Sequence, residues 1–309
     1  MKKLSELVNF KNQLDLMSTN TVRDNINSEL DKIIHLFSTE TYDNLLNQRK
    51  LDIQKSVNTF ESELKKLKTI VKHEIEVLEK PWFEESYRLY EGECGGSRAT
   101  AEEVLNLRKH TSPHQQLFQA RLGRYIGWQN SAMIIRPGLE SFIDNLVSLD
   151  PLYLVDLNHD YLAPALAKFN PVYQRRLRTY TIKEELDQDI LRQLPDNQFA
   201  LCFAYNYFNF RPFEILKKYL GEIYQKLTPG GVLIMTFNDC DRASAVKLVE
   251  NFYCCYTPGY LVRELAISMG YDIEYSWNDD GPTTWLELKK PGNRNSLKGG
   301  QTLAKILPK

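Results

Sequence analysis

The chain has 309 residues, 42% of them hydrophobic and 26% charged, with a formal charge of −1, so it has enough core for one large domain or two modest ones and no overall basic field to draw nucleic acid. Its five cysteines (Cys94, Cys202, Cys240, Cys254, Cys255) are odd in number and lack CxxC spacing, which argues against a metal site or disulfide framework and for a reducing, cytoplasmic setting. No apolar run approaches the roughly 18 residues that cross a bilayer, and the opening MKKLSELVNFKNQLDL reads as an amphipathic helix rather than a signal peptide.

The first 80 residues read as an all-α arm. Leu4, Leu7, Val8, Leu14, Val22, Ile26, Leu30, Ile33, Ile34 and Phe37 suggest one or two helices, interrupted by a cap or turn at Ser38-Thr39-Glu40. From Leu46 to Leu78, apolar residues recur at gaps of four and three: Leu46, Ile53, Val57, Phe60, Leu64, Leu67, Val71 and Leu78. Lys50 and Glu74 interrupt the seam, and no Gly or Pro occurs before Pro81. Such a seam fits a coiled coil or a long helical hairpin, with the chain as its own partner in a homo-oligomer. A partner-docking or virion-anchoring stalk is the other reading.

Residues 81–128 form a connecting lid or linker segment. Gly92, Gly95, Gly96 and the patch KHTSPHQQLFQARLGRY look like a linker, but Trp82, Phe83, Tyr87, Tyr90, Phe118 and Tyr125 are too apolar for a disordered tether. His110 and His114 are candidates for a role in a lid, against an ordinary solvated reading.

An α/β domain is expected over 129–291. Ala132 to Ile135 is an apolar run broken by Pro137-Gly138, and Leu139, Phe142, Ile143, Leu146 and Val147 follow at helical period. A second apolar run, Leu152 to Val155, stops at Asp156. This strand–turn–helix–strand unit ends in a carboxylate about 20 residues after the turn, an arrangement that nucleotide-binding folds use to hold ribose hydroxyls. Only Gly138 remains where three glycines are usual. A helix over 161–169, strands over 177–182 and 199–204, a helix over 214–227, a Thr228-Pro-Gly-Gly231 turn and a strand over 232–237 follow. A helix from Thr257 is ended by Gly270, and 271–277 and 284–288 read as an antiparallel pair around a turn at 278–282. Repeated β-α units imply a doubly wound sheet with ligands at the strands' carboxyl ends. Residues 292–309 are a tail.

The element order, the turn LTPGGVLIMTF and the closing strand pair resemble class I S-adenosylmethionine-dependent methyltransferases, over about Gln129 to Pro291. FNDCDRASA and YTPGYLVRELAISMGY also look like segments of methyltransferase-like proteins encoded by tailed phages. The resemblance implies a Rossmann-like fold, S-adenosylmethionine as cofactor, and Arg136, Gly138, Asp156 and Asn158 as cofactor-binding residues. In the family the first strand ends in an acid before a Gly-x-Gly-x-Gly turn; here Ile134 replaces the acid, Arg136 the first glycine and Glu140 the third. An Arg136–Glu140 pair would close the cofactor cleft. Asn206 and Tyr207 stand where the family contacts its methyl acceptor, though the prolines of Asp/Asn-Pro-Pro-Tyr are missing. Asn238, Asp239, Asp241 and Arg242 line the rim after the fifth strand, with Asp239 or Asp241 as a helix N-cap in the plainer reading.

The expected function is methyl transfer from S-adenosylmethionine to an acceptor that the sequence does not name. Its rival is a catalytically degenerate domain kept as an oligomeric structural or virion-associated interaction protein. A dinucleotide-dependent oxidoreductase suits the closing strand pair less well. The cluster Arg175, Arg176 and Arg178 reads as a solvated edge, so neither membrane nor nucleic acid is indicated as partner. Host cytoplasm or a virion is the expected setting.

Overall fold

The computed structural model describes residues 4–17, 28, 40–92, 115–137, 146–167, 169–278 and 281–292. Chain contacts divide it into two compact units, Met1–Lys80 and Pro81–Lys309. The expected helical segment at Val22 to Phe37, the histidines 110 and 114, and the helix over 139–145 lie outside the described residues.

The first unit holds α1 (Leu4–Leu16) and the greater part of α2 (Glu40–Gly92). Leu4, Val8 and Leu14 of α1 and Val57, Leu64, Val71 and Ile75 of α2 are buried, and Lys68 meets Asp15 at 3.4 Å between the two helices. The seam read from the sequence therefore divides. Val57, Leu64 and Val71 are covered within the chain, whereas Phe60 and Leu67 are exposed beside Ile70 and Val77.

The helix does not stop at Pro81. Without an N–H, Pro81 forfeits a backbone bond, at a cost of about 3 kcal/mol in a helix interior, yet α2 continues to Gly92. In the second unit its last turns are anchored by side chains. Phe83 meets Tyr256 edge-on at 5.1 Å and Phe213 at 5.9 Å, Ser86 Oγ accepts the Tyr256 N–H at 2.8 Å, and Tyr90 reaches Glu184. Packing overrides the local cost.

The second unit is a seven-stranded sheet ordered β3-β2-β1-β4-β5-β7-β6. The strands are β1 (Ala132–Ile135), β2 (Leu152–Asp156), β3 (Leu177–Thr181), β4 (Phe199–Ala204), β5 (Leu227–Asn238), β6 (Asp272–Trp277) and β7 (Thr283–Lys289). β1 to β5 run parallel, and β7 inserts antiparallel between β5 and β6. The central strands are apolar runs because both faces are covered: β1, β2 and β4 are buried throughout. One face carries α6 (Phe213–Lys226), whose Ile215, Leu216, Tyr219, Leu220 and Ile223 lie in the core, and α8 (Gly259–Ser268). The other carries α3 (Gln115–Gly123), through Phe118 and Leu122, and α4 (His159–Ala167). A short helix α5 (Pro171–Gln174) precedes β3, and α7 (Ala243–Glu250) follows β5. This order, with its antiparallel seventh strand, is the class I methyltransferase-like, Rossmann-like fold that the sequence led us to expect.

The Leu-Thr-Pro-Gly-Gly segment is part of β5, not a separate turn. Gly230 takes φ +76°, and a Cβ on Gly231 would stand 2.7 Å from the Phe199 carbonyl oxygen. Both glycines are therefore needed where the β4–β5 register shifts.

On the outer face, Glu287 of β7 accepts from Arg121 at 2.8 and 2.6 Å, from Tyr125 at 2.8 Å and from the Trp285 indole at 2.9 Å. Burial opposes the charge on Glu287, but these bonds outweigh it and hold the carboxyl below its usual range. They fasten α3 to the sheet.

Candidate functional site

The strand order reverses between β1 and β4, and ligands of open α/β sheets bind outside the carboxyl ends at that point. Each strand is followed within two residues by a non-glycine residue with left-handed backbone: Arg136 at φ +54° after β1 and Asn206 at φ +50° after β4. Such residues carry local strain and concentrate at functional sites. Arg136 thus takes a backbone conformation that favours glycine while carrying a guanidinium. Pro137 behind it is buried, and Gly138 and Glu140 lie outside the described residues.

Asp156 ends β2 and is 3% exposed. Its Oδ1 accepts the Asn158 N–H at 3.2 Å. Its Oδ2 is buried and has no hydrogen-bond partner among the described residues. Burial raises the carboxyl above its ordinary range, and the Asn158 N–H, the Arg136 charge, the Leu157 N–H and the Arg211 charge only partly oppose this. Asn158 itself is turned to the backbone, its Oδ1 accepting the Asp160 N–H at 2.9 Å at the start of α4.

At the end of β4, Asn206 donates its N–H to Thr236 Oγ1 at 2.6 Å, and that hydroxyl donates to Asn206 Oδ1 at 3.3 Å. This fixes the amide and leaves Nδ2 buried and without a partner. Tyr207 is placed differently. Its hydroxyl donates to Glu184 and lies 2.8 Å from the Tyr219 hydroxyl, and burial pushes its pKa well above 10. Glu184 is the centre of a buried cluster that the sequence did not reveal. Its carboxylate accepts from Tyr90 at 2.6 Å, Tyr219 at 2.8 Å and Arg211 Nε at 3.0 and 3.1 Å, and the Arg211 guanidinium stacks 4.0 Å over the Tyr207 ring. The available signal was Glu184 itself, a carboxylate three residues past β3.

After β5, Asp239 does not cap α7. The N-cap is Arg242, without a side-chain cap bond. Asp239 Oδ2 instead accepts from Thr284 at 2.6 Å and Arg263 at 3.2 Å, while Oδ1 accepts the Asp241 N–H at 3.2 Å. A partner 45 residues distant outbid the local helix. Gly259, the first residue of α8, lets the helix start approach this carboxylate: a Cβ there would lie 2.6 Å from Asp239 Cγ. Gly259→Ala should therefore lower the unfolding free energy by about 1–3 kcal/mol in a urea titration. An unchanged midpoint would show that the approach is not tight.

Taken together, the buried side-chain atoms without a partner among the described residues are Asp156 Oδ2, Asn206 Nδ2, Asn209 Oδ1, Asn238 Oδ1, Ser244 Oγ, Thr257 Oγ1 and Asn278 Oδ1. All belong to the carboxyl ends of β2, β4, β5 and β6 or to the segments that leave them. Each orphan costs about 1–3 kcal/mol in desolvation, which makes this edge the candidate site for a polar ligand. The basic cluster behaves as a surface edge: Arg176 pairs with Asp150, at the opposite ends of the strands, and Arg178 is exposed.

No family profile and no characterised relative matches the sequence. Similar solved structures include an S-adenosylmethionine-dependent methyltransferase from Mesorhizobium loti (13% identity, 57% of this chain and 97% of that one, TM-score 0.47). Another is an S-adenosylmethionine-dependent methyltransferase from Methanosarcina mazei (12% identity, 56% and 97%, TM-score 0.42). A third is the [4+2]-cyclase SpnF (12% identity, 57% and 80%, TM-score 0.44). Among the described residues no helix is long and apolar enough to cross a membrane.

Proposed function

We propose that residues 129–291 bind S-adenosylmethionine at this edge and transfer its methyl group, with residues 81–128 as a connecting lid or linker segment and residues 1–80 as an arm. The observation that carries the reading is Asp156: a buried carboxylate oxygen without a partner among the described residues, at the end of the second strand of a class I methyltransferase-like sheet. Two ribose hydroxyls are the donors it fits. Arg136 fits the cofactor's carboxylate, and when bound the cofactor supplies a methyl group on a sulfonium. The chain's own part is to position and to exclude water: Asp156 orients the ribose, the β4 end orients the acceptor, and the Glu184 cluster keeps Tyr207 and Arg211 fixed behind it. Alignment of this kind supplies much of the rate when the nucleophile is already reactive.

One observation favours a degenerate site. The Arg136 charge already acts on Asp156, so the chain brings its own counter-charge to the place of the ligand. Calorimetric titration with S-adenosylhomocysteine separates the readings. Saturable one-site binding supports the cofactor site. No heat with the natural chain, and binding restored by Arg136→Gly, supports a plugged relic.

The half-open seam of α2 supports self-association through Phe60, Leu67, Ile70 and Val77. Light scattering should give a dimer or trimer. A monomer at all concentrations would overturn this assignment.

A further inference from the structure

The orphaned atoms divide into two chemically different groups. On the β2 side stands an ionisable carboxylate, Asp156. On the β4, β5 and β6 side stand neutral groups, chiefly the amides of Asn206, Asn209, Asn238 and Asn278. These four stand at or just after the carboxyl ends of β4, β5 and β6, linked through strand pairing and hydrogen bonds to Thr236, Thr283 and Thr284. Asn206 is tied to Thr236 of β5, two residues before Asn238. Asn238 pairs with Thr283 of β7, whose hydroxyl accepts from Asn209 Nδ2 at 3.4 Å. Asn278 Nδ2 donates to the Thr283 carbonyl at 2.8 Å and to Thr284 Oγ1 at 3.0 Å.

Two of the amide orientations are fixed by partners that can only accept. Asn238 Nδ2 faces the carbonyls of Ala245 and Cys255 at 3.3 and 3.4 Å, and Asn278 Nδ2 faces those of Gly281 and Thr283. Their orphaned Oδ1 atoms are therefore acceptors that call for donors. The carboxylate of this region, Asp239, is matched by Arg263 and Thr284. Among the described residues, the orphaned amide atoms of this patch are themselves uncharged.

We propose that this amide patch is a binding subsite for a neutral, hydroxyl-rich group of the sugar or polyol class. Hydroxyls donate and accept at once, which suits several amide acceptors and one amide donor at close quarters, and they carry no charge to desolvate. The assignment rests on the reading of this edge as the ligand-binding edge and names the chemistry of its acceptor half.

The test uses the full chain and saturation-transfer NMR with the methyl glycosides of glucose, galactose, mannose and N-acetylglucosamine, beside two charged probes of the same size, glucuronate and glucosamine. At least one neutral glycoside should bind, and both charged probes should bind more weakly. Asn209→Leu should weaken the glycoside by about tenfold, the loss of one hydrogen-bonding group, and should raise the melting temperature of the free protein by removing an orphaned acceptor. Asp156→Ala should leave glycoside binding unchanged while reducing that of S-adenosylhomocysteine. Failure of the natural chain to bind S-adenosylhomocysteine while a neutral glycoside still binds would therefore strike the cofactor reading and leave this one standing. No binding by any of the four glycosides, stronger binding of a charged probe, or a lowered melting temperature for Asn209→Leu would overturn the proposal.

Discussion

Asp156→Ala should weaken S-adenosylhomocysteine binding by roughly 2–4 kcal/mol, because a carboxylate makes two charge-assisted hydrogen bonds to a ribose diol. The structure adds a second expectation. Oδ2 is buried without a partner and burial raises the Asp156 pKa, so the ligand-free fold binds its proton more tightly than the unfolded chain does. For a carboxyl shifted in this direction, the penalty to folding is full above the folded pKa and disappears as pH falls below the ordinary value. Asp156→Asn should therefore raise the melting temperature of the free protein at neutral pH, and the difference should vanish in acid. Ligand should reverse the order, stabilising the natural chain more than the variant. A dissociation constant that does not change in Asp156→Ala would remove the ribose assignment.

The parallel core was legible because strands buried on both faces must be apolar throughout, as AMII, LYLV and FALCFA are. The Pro-Gly-Gly segment reads as a turn but belongs to β5, where Gly230 supplies a left-handed φ and Gly231 a close approach that no local signal separates from a turn. The spacing places Asp156 at the end of the second strand, where β2 does end, and Arg136 after β1 takes a left-handed φ of +54°. What stayed hidden depends on partners distant in sequence. Pro81 signals a helix end locally, but Phe83 and Tyr90 are held by residues 213, 256 and 184. Tyr207 has the right place for an acceptor contact, yet its hydroxyl is taken by Glu184 and Tyr219. The five-membered cluster on Glu184 draws from α2, the β3 and β4 ends and α6, and no local period or motif connects those positions.

The largest loss of stability is expected at that cluster. Arg211 and Glu184 are 1% and 2% exposed at the side chain, and the guanidinium Nε lies 3.0 Å from the carboxylate. Removing one member of such a pair leaves the other charge buried, at a cost of about 3–5 kcal/mol. Glu184→Gln also withdraws the charge from three tyrosine hydroxyls, whereas Arg211→Met leaves the carboxylate with those donors still in place. The glutamine variant should therefore be the weaker of the two in a urea titration. The double variant should lose much less than the sum, because no uncompensated charge remains. The pair is shielded from solvent, so 1 M salt should change these differences little, unlike a surface bridge. Alkali should act differently. Burial raises the pKa of Tyr90, Tyr207 and Tyr219 above the ordinary 10.0. The unfolded chain then loses these protons first, so the stability they lend is full below about pH 10 and declines above it. Glu184→Gln retains buried tyrosines and should keep that alkaline decline, from a lower starting point. A loss below about 1 kcal/mol in both single variants, the range of exposed pairs, would mean that water reaches the cluster and that it does not fasten α2 to the sheet.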